Sequence, residues 1–403
     1  MIRSFASFAV VLAAVAPLSA QEQPIVGKTK AQWLKVLKED PSPRGRESAI
    51  VVLSTLEKRD LAVVEAVTDS LLGDKAERVR LKAVDGVRAM LLTGGTQEQN
   101  PLLDALAKSV STDMADSVRL KTAEAIKELK KEELRRLAPI LADVLKADKS
   151  SQVKVAVATA LGKTGENAKT ILKGMIEALK DPDVAVRTAV ADAFGRIGFE
   201  AAEAVPSLKP LLKDADPGVR LAAAFSLGRV GPDGASAIPE LSQALASDAD
   251  TAVRKESARA FTFLGLDAKS AVPALAKALR EDKSEEVRQQ AALALGKMRG
   301  ETSSVAASMI EALKKDADKT VRIFVTHALG DSLGDGLRAY VKDLAEQLVK
   351  ESEGDVRIAL IQELGALGPA AKDALPALNM RVTDVQLSVR DEAKRAVKKV
   401  MAK

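Results

Sequence analysis

The chain has 403 residues, with 61 Lys and Arg against 56 Asp and Glu, which gives a formal net charge of +5. It contains no cysteine, so disulfides, thiolate nucleophiles, cysteine metal ligands and cysteine-linked cofactors are excluded. Only 2% of the residues are aromatic and the two signs of charge nearly balance, which argues against a nucleic-acid-binding surface.

The first 20 residues have the form of a secretory signal peptide. Arg3 precedes an apolar run over residues 5–16, and small residues then lead to a predicted cleavage site after Ala20. The run is too short for a stable membrane-spanning helix, and no later stretch is continuously apolar. We therefore expect an exported protein, periplasmic or extracellular at the cell surface, with no transmembrane segment after signal cleavage. A retained N-terminal anchor is the alternative.

Residues 21–42 are predicted to form a linker and a short N-terminal capping helix. Trp33, Leu34 and Leu37 make this segment amphipathic. Its expected role is to cover the apolar end of the region that follows, since stacked repeats must close their ends. A peptide-anchoring role for Trp33 is the alternative.

Residues 43–403 contain a repeated motif. The stretch at 216–231, D-P-G-V-R-L-A-A-A-F-S-L-G-R-V-G, recurs in variant form, mostly every 33 to 35 residues, and the Arg of its Val-Arg pair marks the period. A period of this length indicates a solenoid of stacked repeats. Lys154 takes the arginine position once, and Arg46 belongs to a degenerate first copy. The repeat arginines are Arg80, Arg119, Arg187, Arg220, Arg254, Arg288, Arg322, Arg357 and Arg390.

Each repeat is predicted to contain two antiparallel helices. Asp-Pro pairs at 181–182 and 216–217 place a capping acceptor and a fixed φ at the start of the first helix. An Ala-Val-Pro phrase, as at 204–206, opens the second helix, where proline is tolerated in the first turn. The predicted fold class is all-α, an α-solenoid of about eleven stacked two-helix repeats.

The combination of D-x-D-x-x-V-R, A-x-x-L-G-x-x-G and A-V-P-x-L resembles the HEAT-like repeats of the phycobilisome-lyase type, over roughly residues 40–403. Tetratricopeptide repeats share the spacing, but their Trp/Gly/Tyr phrase is absent from a chain with one Trp and one Tyr. The resemblance implies a right-handed solenoid whose second helices line a concave face. It also implies that each Asp-Arg pair bonds along the stack and does not contact a ligand.

Two sets of residues are candidates for partner binding. In four repeats a basic residue follows the glycine near the end of the first helix, which would form an edge that attracts an anionic partner. The alternative is that these cations complement the dipole at the helix C-terminus. This basic set is Lys163, Arg196, Arg229 and Lys297.

The second candidate set is an apolar patch. In the repeat of Arg322, two apolar residues replace the small or polar residues of other repeats, and a histidine follows. Together with two residues of an earlier repeat they are predicted to form a contact surface, with burial in the core as the alternative. This set is Ile323, Phe324, His327, Leu221 and Phe225. The lengthened loop at 93–100 is a further candidate contact point.

His327 is the only histidine, so neither a histidine metal site nor a histidine-dependent catalytic triad can be assembled. We predict a hydrogen-bonded structural histidine, with Ser332 and Asp335 near it in sequence. Deoxyhypusine hydroxylase, an enzyme of related repeats, holds its metal with repeated His-Glu pairs, and this chain has none. No phosphate-binding loop, nucleophile elbow or zinc motif is present.

The sequence therefore assigns no catalytic residue, metal ligand or cofactor. The leading interpretation is an exported, non-catalytic and monomeric scaffold that binds a protein partner on its concave face. One alternative is an accessory subunit of a modifying enzyme, bilin-lyase-like or similar to the HEAT-repeat oxidoreductase, that holds a client protein. The other alternative is a mechanical spacer.

Overall fold

The computed structural model describes residues 27–56, 59–93, 99–165 and 169–402. These residues form helices joined by short loops, without a β-sheet, which confirms the predicted all-α solenoid. The predicted signal peptide and most of the candidate loop at 93–100 lie outside the described residues. Among the described helices, none combines the length and the apolar character that a bilayer span requires.

The described residues form two compact units, which divide between residues 109 and 110. This division lies inside residues 43–403, the region predicted as one array of repeats. The helices that begin in the N-terminal unit are α1 (Lys30–Glu39), α2 (Pro43–Ser54), α3 (Leu61–Gly73), α4 (Glu77–Thr93) and α5 (Asn100–Thr112).

The C-terminal unit contains the most regular repeats. Its helices are α6 (Asp116–Ile126), α7 (Lys131–Ala147), α8 (Ser151–Leu161), α9 (Lys169–Ala178), α10 (Val184–Ile197), α11 (Val205–Leu208), α12 (Pro217–Leu227), α13 (Ile238–Ser247), α14 (Thr251–Leu264), α15 (Val272–Glu281), α16 (Glu285–Lys297), α17 (Ala306–Lys315), α18 (Lys319–Leu333), α19 (Val341–Lys350), α20 (Gly354–Ala366), α21 (Leu375–Arg381) and α22 (Leu387–Val400). Short 3-10 turns join many of these helices, at Gly198–Ala204, Lys209–Lys213, Pro232–Ala237, Gly265–Ala271, Glu301–Val305, Gly334–Tyr340 and Gly368–Ala374.

In the N-terminal unit, α1 begins with a capping box in which Thr29 and Gln32 bond to each other's backbone N–H groups. Trp33 and Leu37 of this helix are buried in the unit, and the ammonium of Lys28 lies 4.7 Å from the centroid of the Trp33 ring. Because Trp33 is only 7% exposed, its ring belongs to the core and not to a peptide-binding surface.

The helices of the C-terminal unit form two layers. The even-numbered helices carry the repeat arginines and pack on one another, and the odd-numbered helices cover them on one side. Glycine makes the even-numbered layer tight: a Cβ on Gly228 of the α12 end would lie 2.7 Å from the Cα of Ala260 in α14. The same approach recurs where Gly296 faces Ala328. Small residues at these points therefore set the distance between neighbouring repeats.

The two acidic residues of the D-x-D motif have separate roles. Asp216 caps α12 by accepting hydrogen bonds from the N–H groups of Gly218 and Val219. In the preceding repeat the cap is Asp183, and α10 begins at Val184. The prediction that the Asp-Pro pair at 181–182 starts this helix is therefore wrong by two residues. The first acid of each motif has a different partner.

That first acid and the repeat arginine form a series of contacts, here called the Asp–Arg ladder. The guanidinium of Arg220 donates to both carboxylate oxygens of Asp248 in the next repeat, at 2.7 and 2.8 Å. Its remaining nitrogen donates at 3.0 Å to the carbonyl of Asp214, the first acid of its own repeat. Equivalent ion pairs join residues 27 to 29 positions apart along the chain: Arg46–Asp74, Arg119–Asp148, Lys154–Asp181, Arg187–Asp214, Arg254–Asp282, Arg288–Asp316, Arg322–Glu351 and Arg357–Asp384.

The ladder lowers the pKa of the Asp248 carboxyl group. For Asp248, burial is the largest effect and raises the pKa, but the hydrogen bonds from Arg220 and from the N–H of Asp250, with the charges of Arg220 and Arg254, outweigh it. A carboxyl group whose pKa is lower in the folded than in the unfolded chain stabilises the fold above its unfolded pKa. That contribution is lost as the pH falls through the folded pKa, so acid weakens the ladder.

We predict that Asp248→Asn lowers the free energy of unfolding by about 3 kcal/mol at neutral pH, because the guanidinium of Arg220 loses its counter-charge in a largely buried position. The difference in unfolding free energy between variant and wild type is expected to shrink as the pH falls through the lowered pKa of Asp248. There the wild-type carboxyl group becomes protonated and is neutral, as the amide of the variant is. Urea unfolding followed by far-UV circular dichroism, at a series of pH values, measures both effects.

The matched control is Glu281→Gln, which breaks an exposed ion pair with Lys277 whose side chains are 56% and 64% exposed. Its expected effect is below about 0.5 kcal/mol. Equal losses for the two variants, or a loss for Asp248→Asn that does not vary with pH, would contradict the stabilising role of the ladder.

Candidate partner-binding site

The even-numbered helices of the C-terminal unit present a surface that we call the front face. It is formed by the residues one, five and nine positions after each repeat arginine or its Lys154 counterpart, because this spacing keeps side chains on one side of a helix. For α12 these residues are Leu221 and Phe225 on the helix and Arg229 just after its end, and all three are half-buried. The ladder arginines point elsewhere, into their ion pairs.

Two neighbouring helices build an aromatic and basic cluster on the front face. The guanidinium carbon of Arg229 lies 4.6 Å from the ring centroid of Phe225 and 4.6 Å from that of Phe263 on α14. The guanidinium carbon of Arg259 lies 5.4 Å from the Phe263 ring. Such stacking is favourable because the ring faces carry partial negative charge. We call these four residues the Phe–Arg cluster.

The Phe–Arg cluster exposes both apolar and charged surface. Phe263 is 49% exposed, whereas Phe194 and Phe261 are fully buried. Among the described residues no carboxylate pairs with Arg229, and its Nε atom is buried without a hydrogen-bond partner. The two rings therefore hold a positive charge in a fixed place while leaving it without a counter-ion.

Two of the four residues of the Phe–Arg cluster were candidates from the sequence analysis. Phe225 and Arg229 were predicted in separate sets, and the structure brings them into contact. Phe263 and Arg259 were missed. The signal for Phe263 was its position, nine residues after Arg254, where the neighbouring repeats carry a basic residue.

The other basic candidates differ in what they contact. Lys163 donates at 2.7 Å to the carbonyl of Lys127 at the C-terminal end of α6, in the preceding repeat. Arg196 pairs with Asp192 on its own helix. Lys297 is exposed and has no ion-pair partner in the part of the chain that the structure describes. Of the predicted set, Arg229 and Lys297 thus remain uncompensated.

The apolar candidates do not form one patch. Ile323, Phe324 and His327 are half-buried on α18, whereas Leu221 and Phe225 lie on α12, and α14 and α16 stand between them. All nine candidates lie on or just after even-numbered helices, the first helices of their repeats. The family resemblance had implied that the second helices line the concave face.

His327 is held by the next repeat. Its Nδ1 lies 2.9 Å from Oε1 of Glu363 on α20, not near Asp335, which pairs with Arg338. The pKa of His327 is raised, mainly by this hydrogen bond to Glu363. Partial burial acts in the opposite direction but is a smaller effect. Residue 330 is glycine, and this leaves room for the carboxylate of Glu363, because a Cβ at position 330 would collide with it. In the described residues no group of three or more acidic or histidine side chains could hold a metal ion.

The fold and its repeated Asp–Arg ladder define a class of protein, the α-solenoids built of helical repeats. Comparison with protein families identifies HEAT repeats at residues 172–262, 238–330 and 306–398, which together cover more than half of the chain. The chain belongs to the HEAT repeat family. A comparison with curated protein sequences found no match.

Solved structures of similar fold include importin beta, with 15% sequence identity and a TM-score of 0.61 over 92% of this chain and 59% of the other. The chain of a Kap95p–RanGDP structure matches with 14% identity and a TM-score of 0.58, over 92% and 55%. Kap121p bound to Nup53p matches with 12% identity and a TM-score of 0.56, over 92% and 45%. The chain thus spans about half the length of these proteins, and the likeness concerns the fold.

We predict that His327 titrates above the ordinary histidine pKa and that Glu363→Gln lowers its pKa, because the neutral amide no longer stabilises the charged imidazolium. Proton NMR of the untagged protein measures this directly, since the chain has one histidine. Asp335→Asn is the control and is expected to leave the titration unchanged. A lowered pKa in that variant, or an unchanged pKa in Glu363→Gln, would contradict the assigned contact.

Proposed function

We propose that this chain is an exported, non-catalytic scaffold that binds a protein partner through the front face of its C-terminal unit. The observation that carries the proposal is the Phe–Arg cluster. Arginine and aromatic side chains dominate the binding energy of protein interfaces, and exposed apolar surface bordered by polar residues is typical of a contact site.

The distribution of phenylalanine supports this proposal. Phe194 and Phe261 are fully buried and serve the core, as expected for rings in a core of Ala, Val and Leu. Phe225, Phe263 and Phe324 all lie at least partly exposed on even-numbered helices. In a chain with 2% aromatic residues, the two partly exposed rings that flank Arg229 on the front face, Phe225 and Phe263, favour a role in binding.

Two further observations favour the front face. Neighbouring even-numbered helices approach each other closely where glycine faces alanine, as Gly228 faces Ala260. Because closely spaced helices make one side of a stack shorter, we propose that this layer is the concave side of the unit. A concave surface gives an extended partner more contact area. Among structures of similar fold, Kap121p is solved bound to Nup53p and Kap95p binds RanGDP, and both cases involve protein partners.

The finer assignments are also proposals. The D-x-D-x-x-V-R phrase supports membership of the phycobilisome-lyase type of HEAT-like repeat. The apolar run at 5–16 and the small residues before Gln21 support export to the periplasm or cell surface. The mixed surface charge supports a monomer that does not bind nucleic acid.

We predict that replacing Phe225 and Phe263 together by Asp abolishes capture of the partner, because two carboxylates would stand where apolar contacts are made. The experiment is affinity capture from the envelope fraction of the source organism, with protein that begins at Gln21, followed by quantitative mass spectrometry at low and high salt. Thermal unfolding of the double variant verifies that it is folded.

Val385→Asp is the matched control, because Val385 is 90% exposed on the loop before α22, away from the cluster. A partner retained by the wild type and the control but lost from the double variant supports the proposed face. A partner that binds all three proteins equally would place the interface elsewhere. No specific capture by the wild type would favour the spacer interpretation.

Export has its own test. We predict that the mature chain in the source organism begins at Gln21 and fractionates outside the cytoplasm, because residues 1–20 carry the features read by the secretion machinery. N-terminal sequencing after cell fractionation measures both. A chain that keeps Met1 in the membrane fraction would favour the anchor, and a chain that keeps Met1 in the cytoplasm would contradict export.

A further inference from the structure

The front face of α12, α14 and α16 is strongly one-sided in charge. Its nine positions, one, five and nine residues after each repeat arginine, hold four cations and no carboxylate, and the other five are neutral. The four cations are Arg229, Lys255, Arg259 and Lys297.

Residues beside the front face neutralise two of these charges. Lys255 donates at 2.6 Å to Glu286, and Arg259 lies 3.4 Å from Glu256. Arg229 and Lys297 have no such carboxylate within the described ranges. Two unpaired positive charges therefore stand at the C-terminal ends of α12 and α16, with the exposed ring of Phe263 on the helix between them.

The spacing of the repeats gives this arrangement a length scale. Packed helices lie about 9 Å apart, and an extended chain advances about 3.3 Å per residue. One step between neighbouring even-numbered helices thus corresponds to about three residues of an extended chain, and the step from Arg229 to Lys297 to about six.

From this geometry we infer that the partner presents an extended acidic segment. One Asp or Glu binds Arg229, and a second Asp or Glu six residues along binds Lys297. An apolar side chain between the two acids packs on the exposed part of Phe263, whose ring adjoins Arg229. This inference rests on the proposed function and specifies the chemical character of the partner segment that binds the front face.

The state of Arg229 makes it a suitable carboxylate receptor. Its guanidinium is already fixed between two rings, so little side-chain freedom remains to be lost on binding. A planar guanidinium also matches a carboxylate with two parallel hydrogen bonds. At the equivalent position of the next helix, α18, stands the exposed Asp331, which repels a continued acidic run and so limits the segment at Lys297.

The test uses two fluorescent peptides with blocked ends, so that no terminal charge takes part. One carries Asp at positions one and seven and Phe at position four in an otherwise Ala and Ser sequence, and the other has the same composition with the Asp residues at positions three and five. Fluorescence anisotropy measures the affinity of the protein that begins at Gln21 for each peptide. The first peptide is expected to bind roughly tenfold more tightly, and to weaken as salt rises.

Variants assign the contacts. Arg229→Gln is expected to weaken the first peptide roughly tenfold, in line with loss of a charged hydrogen-bonded pair. Lys297→Gln is expected to weaken it about threefold, since that ammonium is exposed. Lys399→Gln is the matched control, because Lys399 is exposed at the equivalent position of α22 and is expected to change nothing.

Equal affinity for both peptides, no measurable binding to the wild type, or unchanged binding in Arg229→Gln would overturn the inference. Equal competition by a single-stranded oligonucleotide would also overturn it, because the face would then recognise anions in general. If the captured partner depends on Phe225 and Phe263 but Arg229→Gln leaves both capture and peptide binding unchanged, the scaffold proposal stands and the acidic-segment inference alone fails.

Discussion

The Asp–Arg ladder is the interaction on which the rest of the structure depends. Arg220, like the other paired arginines of the ladder, binds the carboxylate of the following repeat and a carbonyl of its own, so every ion pair fixes the loop before one helix against the loop before the next. The acids are almost buried and also accept a backbone N–H, as Asp248 does from Asp250. The ladder therefore specifies register between repeats, which apolar packing of Ala, Val and Leu alone would define weakly.

Register decides where the surface residues fall. Glycine opposite alanine lets the even-numbered helices approach, and the ladder prevents them from sliding, so equivalent positions of successive helices line up on the front face. A side chain nine residues after one arginine then meets its counterpart in the next repeat. The stacking of Arg229 on Phe263 is such a meeting. The candidate site is thus a product of the same contacts that hold the fold.

The places where one repeat departs from the pattern fall into two kinds. Glu351 replaces the usual Asp of the ladder, and the longer side chain still binds both Arg322 and Gln347 in a buried position, so this departure keeps the fold. Phe263 replaces a basic residue on the front face, and its ring is left half-exposed against an unpaired arginine. Only the second kind changes what the surface can bind.

The sequence by itself determined the helices, the repeat and the positions of the ladder arginines, because these depend on a period of about 34 residues and on short-range rules for starting and ending a helix. Tertiary structure decided the contacts between repeats: Phe263 with Arg229, Glu363 with His327, and Asp183 as the cap where Asp181 had been expected. Local periodicity shows which side of a helix is buried. Which side chains meet across the layer depends on the spacing and register of neighbouring helices, and those are set by close glycine contacts and by ion pairs that join residues nearly a full repeat apart.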